Sequence, residues 1–71
     1  MLYAQLRELM AANDETQVDL ARILKICRNA VSDRFRNRTD WGLGECYLIL
    51  DHYHQPPDTL PTIFPPGGKN N

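Results

Sequence analysis

The sequence predicts an all-α fold, with four helices closed by a short C-terminal turn. Three observations carry that prediction. Apolar residues recur three and four apart in successive segments. The two central segments are separated only by Lys25, Ile26 and Cys27. The prolines at 56, 57, 61, 65 and 66 all fall in the last part of the chain, so that only there is a long helix ruled out.

Taken in order, residues 2 to 12 form the first helix, with Leu2, Leu6, Leu9 and Met10 on its apolar side and Arg7 and Glu8 outward. Asn13, Asp14 and Glu15 break it. Thr16 is an N-cap for a second helix beginning at Gln17, and Asp19 three residues on is a shortened capping-box acid that also suits the helix dipole. Leu20, Ala21 and Leu24 form its stripe, and Val31 and Phe35 form that of the third helix. A connection of three residues makes the second and third helices cross steeply, and Ala21 is the small residue that permits close approach. Leu43, Cys46, Tyr47 and Leu50, at i, i+3, i+4 and i+7, mark a fourth helix that runs to about His52 with Glu45 near its positive end and closes the core. Trp41, ahead of it, reads as a packing anchor. Asp58 or Thr59 caps a single turn through Leu60, Ile63 and Phe64.

The third helix has a second face. At about 100° per residue, Asn29, Ser32, Asp33 and Arg36 lie opposite Val31 and Phe35, with Arg28 on the border at the first turn. All of them can form hydrogen bonds to base edges in a major groove, where Asn suits adenine and Arg suits guanine. Asp33 suits either a cytosine amino group or a pair with Arg36 at i+3, and the pair is favoured because an unpaired acid facing phosphate is repelled. Charge placement sharpens this reading. The net charge is −1, yet residues 21 to 38 carry Arg22, Lys25, Arg28, Arg34, Arg36 and Arg38 against Asp33 alone, while residues 1 to 20 and 39 to 71 each sum to −3. The positive field is therefore concentrated on the segment with recognition geometry.

The run Gln17-Val18-Asp19-Leu20-Ala21, followed by Ile26, Arg28, Val31 and Ser32, resembles the Cro and lambda-repressor-like helix-turn-helix family of phage and bacterial regulators. The continuation Phe35-Arg36-Asn37-Arg38-Thr39-Asp40-Trp41, then Leu43 and Glu45, is similar to its small phage Cro-like branch. The resemblance covers about residues 2 to 64. The chain departs from the family's pattern at three places. Lys25 stands in the turn where the family usually has Gly, and a left-handed Lys there costs roughly 1 kcal/mol, so a wider turn is expected. Cys27 stands where Ser or Thr normally caps the third helix, which weakens that cap by about 1 kcal/mol. Asn37 replaces a usual Gly but tolerates the left-handed conformation well. It implies a compact lambda-repressor-like domain of four to five helices that binds double-stranded DNA and regulates transcription. It also implies a phosphate contact for Gln17 and a base-contacting surface along Arg28, Asn29, Ser32 and Asp33. Arg22 and Arg38 complete the expected phosphate clamps, and Arg36 joins the base-reading set.

Length sets the outer limits. The 71 residues make one domain over residues 1–64 with a flexible tail over 65–71, and a chain this short buries only about 60% of its unfolded surface. It leaves no room for a substrate cleft, so an enzyme is not expected, and neither is a cofactor. Cys27, Cys46, His52 and His54 are a poor zinc set, because the two histidines are two apart and face different ways; free thiols are expected. Asp51, His52 and Ser32 lie on separate elements and make no triad. The lack of a long apolar run or a signal-like N-terminus points to a cytoplasmic protein. A homodimer on an operator is expected, with Leu60, Ile63 and Phe64 serving either as its face or as part of the monomer core. The alternative function is a protein-interaction module, an antirepressor or antitoxin-like adaptor, that keeps the fold without the DNA.

Overall fold

Every regular element of the described chain is helical. The computed structural model describes residues 1–69 and has five α-helices: α1 (Ala4–Ala12), α2 (Gln17–Leu24), α3 (Arg28–Phe35), α4 (Leu43–His52) and α5 (Leu60–Ile63). Single 3-10 turns at Pro57–Thr59 and Pro66–Gly68 flank α5. Both start on proline, whose fixed φ suits a first helical position and whose missing N–H is not needed there.

The core is one cluster. Leu6 and Met10 of α1, Leu20 and Ala21 of α2, Val31 and Phe35 of α3, and Cys46, Ile49 and Leu50 of α4 are buried with Tyr3, Tyr53, Ile63 and Phe64. Its aromatic end is built from edge-to-face pairs, with Trp41 centroids 5.4 Å from Phe35, 5.9 Å from Tyr3 and 5.1 Å from Phe64. Such pairs add about 0.5–1.5 kcal/mol each beyond area burial, which makes Trp41 a packing residue. Ile63 and Phe64 are 5% and 8% exposed, so the C-terminal turn belongs to the monomer core and is not available as a face for a second copy.

Helices α1 to α4 end by the same backbone device, and none of them uses glycine for it. Asp14, Lys25, Asn37 and His54 take left-handed conformations with φ between 56° and 60°. In each case the next residue's N–H returns to the carbonyl five residues back: Glu15 to Met10, Ile26 to Ala21, Arg38 to Asp33 and Gln55 to Leu50. Those bonds satisfy carbonyls that would otherwise be left open at the helix end. The α2–α3 turn is therefore tight and not widened as Lys25 suggested. It keeps its length because the left-handed step turns Ile26 back onto the core.

Three other expectations change. Helix α1 begins at Ala4 and not at residue 2, because Tyr3 is itself left-handed at φ 56° and buried. The buried side of α4 is Cys46, Ile49, Leu50 and the adjoining Tyr53, whereas Leu43 and Tyr47 are exposed. The segment from Pro65 to Gly68 is not a flexible tail. Pro65 and Gly68 are buried, Tyr3 N–H donates to the Gly68 carbonyl at 2.8 Å, and Asn37 Nδ2 donates to the Gly67 carbonyl at 2.6 Å. Asn70 and Asn71, the end of that expected tail, lie outside the described residues.

Gly68 has φ +75°, and a Cβ there would stand 2.7 Å from the Tyr3 ring. Gly68→Ala should therefore destabilise the chain by about 2 kcal/mol, lowering the melting temperature by roughly 8–16 °C for a domain of this size. Thermal unfolding followed by circular dichroism measures this, and a change under 2 °C would show that the C-terminal turn is not packed on Tyr3.

Candidate nucleic-acid interface

Helix α3 is held from behind and open in front. Val31 and Phe35 anchor it in the core, and Ala21 gives α2 the clearance to lie against it. Its N-cap Cys27 makes no side-chain capping bond, as its chemistry implies, and the thiol is exposed. Its far end is pinned by Arg34, which donates from Nε to Glu45 Oε1 at 2.8 Å, from Nη2 to Oε2 at 3.0 Å and from Nη1 to the Ala30 carbonyl at 2.8 Å. This bidentate pair fixes α3 to the start of α4. It also removes Arg34 from the basic residues free to meet a ligand.

On the open side Arg28, Asn29, Ser32, Asp33, Arg36 and Arg38 line one concavity of about 380 Å³. A larger groove of about 600 Å³ shares Arg28, Ser32 and Arg36 with it and adds Arg7, Thr16, Gln17, Val18 and Phe35. The two form one surface running from the start of α2 across α3. Among the described residues no carboxylate lies within 4 Å of Arg28, Arg36 or Arg38. Asp33 makes no ion pair with Arg36, contrary to expectation, so its carboxylate stands free among three guanidinium groups.

Seven of the eight expected site residues are thus gathered; Arg22 is the exception. Its side chain is 75% exposed, makes a loose 3.4 Å contact with Asp19 and lines neither concavity. Asp19 is occupied at the helix start, where it accepts the Thr16 N–H at 2.7 Å and the Thr16 hydroxyl at 3.3 Å. The Thr16 amide accordingly holds the Asp19 carboxyl below its usual pKa.

Arg7 is the residue that sequence reading placed elsewhere. Its Nε donates to the Leu2 carbonyl at 2.8 Å, and its guanidinium lies 4.7 Å from the Phe35 ring centroid, so it is stacked at the groove wall with its charge uncompensated. Its position one step off the Leu6–Met10 stripe was the available signal, since such a residue borders the neighbouring helix.

Cys46 is buried in the core, which pushes its thiol up to about 11, while Cys27 is exposed at the head of α3. His52 Nε2 lies 2.9 Å from Glu15 Oε1 and ties α4 to the α1–α2 loop. Among the described residues no three His, Cys, Asp or Glu side chains converge as a metal would need, and no helix is long and apolar enough to cross a membrane.

The Arg34 hydrogen bonds hold the Glu45 carboxyl below its ordinary value of 4.5. A lowered carboxyl pKa stabilises the fold above the unfolded value, and that contribution is lost as pH falls through the folded value. The melting-temperature gap between wild type and Glu45→Gln should be full at neutral pH and should close on acidification below 4.5. A gap independent of pH would mean the ion pair does not hold α3.

Comparison with protein-family models, with curated proteins and with solved structures finds no match to this chain.

Proposed function

We propose that this chain is a sequence-specific double-stranded DNA-binding domain of the lambda-repressor-like, helix-turn-helix kind, acting as a small Cro-like transcriptional regulator and not as an enzyme. The observation that carries the reading is the trio Arg28, Arg36 and Arg38, uncompensated around a concavity that also holds Asn29 and Ser32. Uncompensated guanidinium groups on the open side of a rigid helix suit phosphate and guanine, and the neighbouring amide suits adenine. In this reading Arg38, Gln17 and the stacked Arg7 hold the sugar–phosphate backbone, while Arg28, Asn29, Ser32 and Arg36 reach base edges. Asp33, left unpaired, is the acceptor for a cytosine amino group and repels the phosphate path, so it adds selectivity at some loss of affinity. Arg22, which lines neither concavity, takes no part in the clamp.

A second reading is supported by the exposure of Leu43, Tyr47 and Leu48 on α4. An antirepressor or antitoxin-like adaptor would use such a face for a protein partner. Selection of binding sites from random duplexes at two salt concentrations separates the two readings, because only the DNA reading yields an enriched motif.

Affinity for the selected site should fall with salt along a log–log slope of about −0.9 per phosphate neutralised. Arg38→Ala should flatten that slope by about one contact without altering the preferred sequence. Asn29→Ala should relax the preference at a single base pair, a loss of about 1–3 kcal/mol of discrimination. Equal weakening of every duplex by Asn29→Ala would show that α3 does not enter the groove as described.

A further inference from the structure

Helix α4 exposes apolar side chains that its own fold leaves uncovered. Leu43 is 64% exposed, Tyr47 46% and Leu48 52%. At about 100° per residue, the buried Cys46, Ile49, Leu50 and Tyr53 fill one arc of the helix. Gly44 stands opposite the middle of that arc, with Leu43 and Tyr47 on one flank, Leu48 on the other and Asp51 two turns along the same outward line.

Gly44 is the informative residue. It sits in the first turn of the helix, where glycine is a poor former, and a Cβ built there meets nothing within 4 Å. The monomer therefore has no steric need for it. A glycine flanked by large apolar side chains on an outward face serves the close approach of another backbone.

We propose that this face is a self-association surface, with a second copy of this chain as its occupant and the two α4 helices antiparallel across a two-fold axis between Tyr47 and Leu48. That axis sets Tyr47 of each copy against Leu48 of the other, and Gly44 against Asp51. The match is self-complementary as an isologous contact requires. It is also complementary in charge. Asp51 of each copy comes over the positive first turn of the other's helix, where Gly44 leaves the backbone open to it. Glu45 in that turn does not oppose this, because Arg34 already neutralises it.

The size of the face sets the strength. A standard interface takes about 800 Å² from each partner, roughly a sixth of this chain's 4658 Å², and one ten-residue helix presents less than that. The association is weak, with dissociation in the micromolar range or above, and it tightens where DNA holds two copies side by side. That last step rests on the proposed function. An eight-residue recognition helix reads half a site, so an operator that seats two copies side by side raises their local concentration at this face.

Sedimentation equilibrium of the full chain without DNA, from about 10 µM to about 1 mM, tests the surface, and it should show a reversible monomer–dimer equilibrium. Leu48→Lys should leave only monomer with an unchanged circular dichroism spectrum. Gly44→Ala separates the interface from the helix, because the two effects have opposite signs. It should raise the melting temperature of the dilute chain by roughly 4 °C while raising the dimer dissociation constant several-fold. A wild-type chain that stays monomeric at about 1 mM, or a dimer that neither substitution weakens, overturns the proposal. Self-association that survives in Arg28→Ala, Arg36→Ala and Arg38→Ala, with no duplex bound even by wild type, would refute the DNA reading and leave this surface standing.

Discussion

Tyr3 is the residue on which the two ends of the chain and the end of α3 all depend. Its hydroxyl donates to Asn37 Oδ1 at 2.6 Å, Asn37 Nδ2 donates on to the Gly67 carbonyl, and the Tyr3 amide reaches the Gly68 carbonyl. Its ring meets Phe35 and Trp41 edge-on. Burial pushes the hydroxyl's pKa up from its ordinary value. In 71 residues the apolar surface available for burial is small, so a partly buried hydrogen-bond relay that joins three distant segments does more than one extra methyl group could. The left-handed backbone at Tyr3 is the cost of this. It costs about 1 kcal/mol in a non-glycine residue and is offset by three hydrogen bonds and two ring contacts.

The same relay bears on the candidate interface. Asn37 is the left-handed residue that ends α3, so the clasp that holds its side chain also sets where Arg36 and Arg38 leave the helix. Phe35, two residues before Asn37, makes T-shaped contacts with Tyr3 and Trp41 and carries the Arg7 guanidinium over its ring. Together with the Arg34–Glu45 pair, these contacts immobilise the inner side of a short helix whose own N-cap is weak. An eight-residue helix has little intrinsic stability in water. Its outward side chains are held in register by tertiary packing, which is the condition for reading base edges instead of merely attracting phosphate.

How far the sequence could be read follows from which signals were unique. The start of α2 was legible because Thr16 and Asp19 have no other efficient arrangement than the capping contacts they make. The outward face of α3 was legible because Val31 and Phe35 are its only large apolar residues, so the stripe could be laid in one way only. In α4, Leu43, Cys46, Tyr47 and Leu50 have the same spacing as Cys46, Ile49, Leu50 and Tyr53. Periodicity cannot choose between two stripes on a helix that is apolar nearly all round, and the choice fell to Tyr53 and Ile49 through the core they fill. The C-terminal Pro-Pro-Gly-Gly run carried the composition of a loose tail, but what packs there is backbone against the Tyr3 ring, a contact with no side-chain signature. Arg34 and Arg7 exchanged roles for a related reason. Counting charge along the chain treats every arginine alike, whereas Glu45, eleven residues away, takes one and the Phe35 ring positions the other.

The outward stripe of α4 bears on function. Had Leu43 and Tyr47 been core residues, Ile49 and Tyr53 would have faced outward in their place. Turning the helix so that Ile49 and Tyr53 go inward leaves three large apolar side chains outward around a glycine. A monomer of this size loses stability by leaving them in water, at about 25 cal/mol for each Å² of apolar area that could have been buried. That loss is offset only if another surface covers them. The acidic balance of residues 39 to 71 makes duplex DNA a poor candidate for that role, because the outward line of α4 would bring Asp51 towards phosphate. The basic side of α3 and the apolar side of α4 are therefore suited to different partners, and one small core holds both in fixed relation.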